Sequence, residues 1–139
     1  MIENADTFNR HIDYLRISVT DRCNLRCIYC MPAEGVKNLS HSEVLRYEEI
    51  VAVAQKAAAI GISKIRLTGG EPLVRLGLAE LVTMLSDIKG IDDIALTTNG
   101  TLLKQYGSEL KDAGLKRVNI SLDSLKQDRY QLITRTGHL

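Results

Sequence analysis

Two hydrophobic periods take turns along this chain. "YLRISVT" (residues 14–20), "KIRLT" (64–68), "DIALTTN" (93–99) and "RVNISLD" (117–123) alternate apolar with polar positions and are rich in Ile, Val, Leu and Thr, which predicts four β-strands. Between them the period lengthens to that of a helix. Ile50, Val53, Ala54 and Ala57 recur at i, i+3, i+4, i+7, with Glu48 and Glu49 suited to a helix N-terminus and Gly61 to its end. Leu78, Leu81, Val82 and Leu85 predict a second helix over residues 78–86. A third is expected over 102–113, ending at Gly114, and a fourth from near Gln127. Strands separated by single helices are βαβ units, joined by right-handed crossovers into a parallel sheet.

The strands have two unlike faces. Leu15, Ile17 and Val19 oppose Arg16, Ser18 and Thr20; Ile65 and Leu67 oppose Arg66 and Thr68; Ile94, Leu96 and Thr98 oppose Ala95, Thr97 and Asn99; Val118, Ile120 and Leu122 oppose Asn119, Ser121 and Asp123. A parallel strand covered on both faces would be apolar throughout. Helices laid on the apolar face leave a curved sheet whose polar face lines a wet cavity. A closed eight-stranded barrel fills its interior with branched apolar residues, so the pattern predicts a wider or open β/α barrel around a large polar ligand. The alternative is an ordinary sheet with one face in solvent. Arg16 and Arg66, on neighbouring strands, favour the cavity.

With 139 residues, 45% hydrophobic and 25% charged, the chain reads as one soluble α/β domain over residues 1–139. A net charge of +1 gives no basic excess for nucleic acid. The start, "MIENADTFNR", lacks the basic and then apolar order of a signal peptide, and the longest apolar run, residues 51–60, is broken by Gln55 and Lys56, so no membrane association is expected. The cysteines number three and lie close together in "TDRCNLRCIYCMP", which does not make a disulfide framework. A reducing, cytoplasmic setting is expected.

Cys23, Cys27 and Cys30 follow the first strand, at the end where α/β barrels keep their active sites. Three readings compete. The thiols are unreactive core residues, although Arg22 and Arg26 beside them favour thiolates. Or they bind structural zinc, with a fourth ligand borrowed from a histidine such as His41. Or they bind an iron–sulfur cubane, leaving one iron open to a ligand from outside the protein. "LTGGEP" after the second strand lacks the Gly-Lys-Ser/Thr ending of a phosphate-binding loop, so a nucleoside triphosphatase is not indicated. The histidines share no spacing.

C-x-x-x-C-x-x-C with an aromatic residue before the third Cys resembles the radical S-adenosylmethionine (SAM) superfamily. "RISVTDRCNLRCIYCMP", "IRLTGGEPLVR", "LTTNG" and "VNISLD", in that order, resemble its GTP 3′,8-cyclase family, which serves molybdenum cofactor (molybdopterin) biosynthesis. The resemblance implies that Cys23, Cys27 and Cys30 hold a 4Fe-4S cluster whose open iron binds SAM. Reductive cleavage then yields a 5′-deoxyadenosyl radical that attacks the ribose C3′ of GTP, and C3′ closes on C8 of guanine to give the 3′,8-cyclo nucleotide. It implies SAM contacts from Tyr29, Gly70 and Ser121, and GTP contacts from Arg16, Arg66 and Thr97. Arginine suits a triphosphate because its planar donors pair with phosphate oxygens.

The resemblance further implies an electron donor, a homodimer and a downstream partner, cyclic pyranopterin monophosphate synthase. It also implies a six-stranded partial barrel and a C-terminal region holding a second cluster, none of whose cysteines occurs here. The expected fold is therefore the N-terminal part, about four strands, of an open partial (TIM-like) radical SAM barrel. The chain alone is expected to cleave SAM without cyclising GTP. Another radical SAM enzyme acting on a peptide or nucleotide, and a non-enzymatic metal-binding module, remain as alternatives.

Overall fold

The computed structural model describes residues 5–139. Four strands, β1 (Tyr14–Ser18), β2 (Lys64–Thr68), β3 (Asp93–Thr98) and β4 (Arg117–Ile120), form one sheet in the order β1-β2-β3-β4. Every pairing is parallel. The four α-helices are α1 (Tyr47–Ala59), α2 (Leu78–Ser86), α3 (Leu103–Asp112) and α4 (Gln127–Thr134), so strands and helices alternate as the two periods predict. Gly61 and Gly114 follow α1 and α3 with φ of 101° and 109°, the left-handed geometry in which a helix end turns away at least cost to glycine. Glu49 reaches back from the first turn of α1 to accept the Arg46 N–H at 2.7 Å.

Register turns the alternation within strands into rows across the sheet. Ile17, Leu67, Leu96 and Val118 form an apolar row; Arg16, Arg66, Ala95 and Arg117 form a polar one beside it; further along the polar side Ser18 pairs with Thr68 and Thr97 with Asn119. The first three helices cover the apolar rows. Ile65, Leu67, Ile94 and Leu96 pack there with Ile50 and Ala54 of α1, Leu78, Leu81, Val82 and Leu85 of α2 and Leu110 of α3, all buried. The stripe of α1 departs from expectation: Val53 is 52% exposed, and Val51 and Ala58 pack against the core instead. The helix rolls toward α2, which supplies the larger side chains.

The predicted strands 14–20, 93–99 and 117–123 are each cut short at their C-terminal ends, where residues leave the ladder to build loops. The outer face of β4 is uncovered, with Val118 and Ile120 exposed, because α4 does not lie on it. Instead α4 sends its C-terminal end to the cysteine loop. Among the described residues, no helix is long and apolar enough to cross a membrane.

Candidate functional site

The cysteine loop leaves β1 and is fastened at once to the turn after β2. The Val19 N–H donates to the Thr68 carbonyl, the Gly70 N–H to that of Thr20 and the Glu71 N–H to that of Arg22, each at 2.8 Å. Backbones this close leave no room for a side chain. A Cβ on Gly70 would lie 2.2 Å from the Arg22 carbonyl oxygen, and one on Gly69 would lie 2.4 Å from that of Thr20. The Gly-Gly pair therefore has a structural duty before any ligand arrives, which is to let the cysteine loop settle on β2.

Glu71, to which the sequence reading gave no role, is the hub of this end of the sheet. It is 1% exposed. Its Oε1 accepts the Leu73 N–H at 3.0 Å and the Thr98 hydroxyl at 2.7 Å, and its Oε2 accepts the Asn99 N–H at 2.7 Å. Three donors to a buried carboxylate compensate its lost hydration and tie the β2 turn to the end of β3. A second strap runs from there to the cysteine loop: the Asn99 amide donates to Asn24 Oδ1, and the Asn24 amide donates to Thr101 Oγ1, both at 2.9 Å. An ionisable residue between Gly-Gly and "PLV" was the one available sequence signal for Glu71.

All three thiols are free, Cys23 and Cys27 partly buried and Cys30 exposed. Expected activation by the neighbouring arginines is not what the structure builds. Arg22 is exposed, while Arg26 gives its Nη1 to the carbonyls of Cys23 and Leu25 at 2.7 and 2.9 Å. Burial pushes the Cys27 thiol up. A hydrogen bond from Tyr29 opposes that rise, and the negative charges of Cys30, Asp123 and Cys23 add to it. Tyr29 bridges the site, its hydroxyl donating to Asp123 at 3.0 Å; desolvation and that carboxylate hold the phenol far above its usual value. Ser121, two residues before Asp123, anchors the end of β4 by donating its N–H to the Thr98 carbonyl at 2.8 Å. Tyr29, Gly70 and Ser121 thus stand with the cysteines at the C-terminal end of the sheet.

Arg16, Arg66 and Thr97 occupy the polar face below. Arg16 and Arg66 are register partners. The Arg66 guanidinium lies 5.6 Å from the Tyr14 ring centre, and its Nε is buried without a hydrogen-bond partner. An unspent guanidinium donor facing the sheet suits an anion. Arg117 belongs to the same row but is neutralised by an ion pair with Asp93.

The donor set fits an iron–sulfur cluster. Cys23, Cys27 and Cys30 are free thiols on one loop, and thiolates are the usual ligands of such a cluster.

The sequence profile of the Radical SAM superfamily matches residues 17–139. The chain is 66% identical over 134 residues to the GTP 3′,8-cyclase of Pelotomaculum thermopropionicum, matching 96% of this chain and 41% of that protein. It is 59% identical over 134 residues to the GTP 3′,8-cyclase of Alkaliphilus metalliredigens, matching 96% of this chain and 42% of the relative. The enzyme of that name from Geobacter sulfurreducens is 54% identical over 138 residues, with 99% of this chain and 42% of the relative matched. The chain therefore spans about two-fifths of the length of these curated relatives. Among solved structures, Streptococcus suis SuiB bound to precursor peptide SuiA superposes with a TM-score of 0.69 at 20% identity, covering 89% of this chain and 27% of that one. BtrN in complex with AdoMet and 2-DOIA gives 0.59 at 19% identity, covering 80% and 46%. Likeness at that identity concerns the fold, a partial α/β barrel.

Proposed function

The chain belongs to the radical SAM superfamily, and from that premise we propose that it is the cluster-bearing part of a GTP 3′,8-cyclase. The observation that carries the reading is the fastening of the three-cysteine loop, by the Gly69–Gly70 turn, above a polar face that carries an unspent arginine donor. Cys23, Cys27 and Cys30 would hold a 4Fe-4S cluster, with SAM bordered by Tyr29, Gly70 and Ser121. When bound, the cluster supplies the electron that cleaves SAM reductively.

The protein's own share is placement. Glu71 and the Asn24–Asn99 strap keep the loops after β1, β2 and β3 in fixed relation, and such positioning is what a reactive cofactor asks of its host. Arg16, Arg66 and Thr97 would receive GTP, the arginines taking phosphate oxygens. The same reading assigns an external one-electron donor, a homodimer, a cytoplasmic location and delivery of product to cyclic pyranopterin monophosphate synthase. Residues 1–139 form its radical SAM core domain.

Anaerobic reconstitution tests the proposal. The expected product is a 4Fe-4S cluster whose electron paramagnetic resonance changes on adding SAM, and Cys27→Ser removes it. Under strong reductant, 5′-deoxyadenosine without cyclised nucleotide is expected. Zinc at one per chain with neither iron nor sulfide, or a cluster signal indifferent to SAM, would sink the reading. Loss of GTP binding in Arg66→Ala distinguishes this family from radical SAM enzymes acting on peptides.

A further inference from the structure

The cysteine loop has a second clasp, "ITRTG" at residues 133–137, where α4 ends. The carbonyls of Ile133 and Thr134 accept the N–H groups of Ile28 and Arg26 at 2.9 and 3.0 Å. Arg135 Nη1 donates to the carbonyls of Arg26 and Met31, both at 2.8 Å. The Thr136 hydroxyl donates to the Asn24 carbonyl at 3.2 Å. These partners span the loop on either side of Cys27 and Cys30.

Arg135 reaches the loop from an unusual backbone, with φ +62°, in the left-handed half of the map that non-glycine residues rarely occupy. The surroundings hold it there. Thr134 is fully buried, its hydroxyl donating to the Tyr130 carbonyl and accepting the Gly137 N–H at 3.0 Å. The reversal turns the guanidinium back onto the carbonyls of Arg26 and Met31, the residues that flank Cys27 and Cys30 in the loop. None of the ion pairs among the described residues involves Arg135. A positive charge with no carboxylate against it among the described residues is thus hydrogen-bonded to the loop that bears the thiols.

We propose that Arg135 is a positioning residue: it holds the loop around Cys27 and Cys30 in its ligating shape, and its charge raises the reduction potential of the cluster bound there. The redox half of the proposal rests on the iron–sulfur reading above; the holding half does not. A cation beside a thiolate-ligated centre favours the more negative, reduced state, and groups behind the ligands set both retention and potential.

Arg135→Gly and Arg135→Lys separate these effects. Glycine accepts the positive φ, so the first variant removes the guanidinium while relieving the backbone, and its melting temperature checks that it folds. Without cluster, amide exchange at Arg26 and Ile28 is expected to quicken by about tenfold in Arg135→Gly while β2 and β3 stay protected. With cluster, iron release to a chelator is expected to be about 10- to 100-fold faster, and the midpoint from a redox titration followed by electron paramagnetic resonance more negative. Arg135→Lys should restore the midpoint but not the retention, since one ammonium cannot span both carbonyls as the planar fork does. A folded Arg135→Gly that matches wild type in amide exchange, retention and midpoint overturns the clasp. A wild-type chain that takes up no cluster while Arg135→Gly still loosens the loop overturns the iron–sulfur reading and the redox half with it.

Discussion

Glu71→Gln changes one atom's chemistry at constant shape, and the structure sets what it should cost. The carboxylate receives three donors and is almost wholly buried. A carboxamide has one oxygen. Turned so that its oxygen sits at Oε1, it presents an NH₂ to the Asn99 N–H; turned the other way, it presents that NH₂ to the Leu73 N–H and the Thr98 hydroxyl. Thr98 cannot rotate freely to compensate, because its oxygen already accepts the Gly100 N–H at 3.0 Å. Either orientation orphans at least one buried backbone donor, about 1–3 kcal/mol, and weakens the remaining charge-assisted bonds, while relief of the buried charge offsets part of the loss. The expected net destabilisation is about 2–4 kcal/mol, a large fraction of the roughly 5–15 kcal/mol typical of a domain. Urea unfolding followed by circular dichroism should show a lower midpoint at unchanged slope. In a cycle with Thr98→Val, the pair should couple by about 0.5–3 kcal/mol. A Glu71→Gln midpoint corresponding to less than about 0.5 kcal/mol of change would refute the hub argument.

Further outcomes follow from the same contacts. Gly70→Ala drives a Cβ to 2.2 Å from the Arg22 carbonyl oxygen, so it should cost about 1–3 kcal/mol and lower cluster occupancy; iron content and melting temperature report both, and a variant equal to wild type in each would count against the close fit. Ile120 is 55% exposed on the edge strand β4, so Ile120→Lys should reduce self-association measured by light scattering at little cost in stability, and unchanged association would place the sticky surface elsewhere. Burial pushes the Tyr47 phenol up against the opposing Arg75 guanidinium, so the folded chain holds that proton more tightly than the unfolded one. Its contribution is complete below about pH 10 and lost as pH rises through the folded value; Tyr47→Phe should remove that part of the alkaline decline between urea midpoints at about pH 8 and about pH 11. An unaltered decline would assign it to other groups.

Periodicity is a local property, and what depends on it could be read from the residues. Strand alternation placed Arg16, Arg66 and Thr97 on one face because successive side chains in a strand must point to opposite sides. The spacing of the cysteines put three thiols on one loop whatever lay above it. Where packing decides, the residues alone misled or were silent. Val53 satisfied the helical period as well as Val51 does, and only the roll of α1 against α2 chose between them. The glycines of "GGEP" were visible, but their reason, a neighbouring backbone at contact distance, comes from a loop 48 to 49 residues earlier in the chain. The Tyr29–Asp123 bridge joins residues 94 apart, and the Arg135–Arg26 bond joins residues 109 apart. No window of sequence contains both members of such a pair. The first exists because four parallel strands bring every loop that follows a strand to the same end of the sheet, and the second because the C-terminal end of α4 packs against the cysteine loop, where polar backbone must find partners.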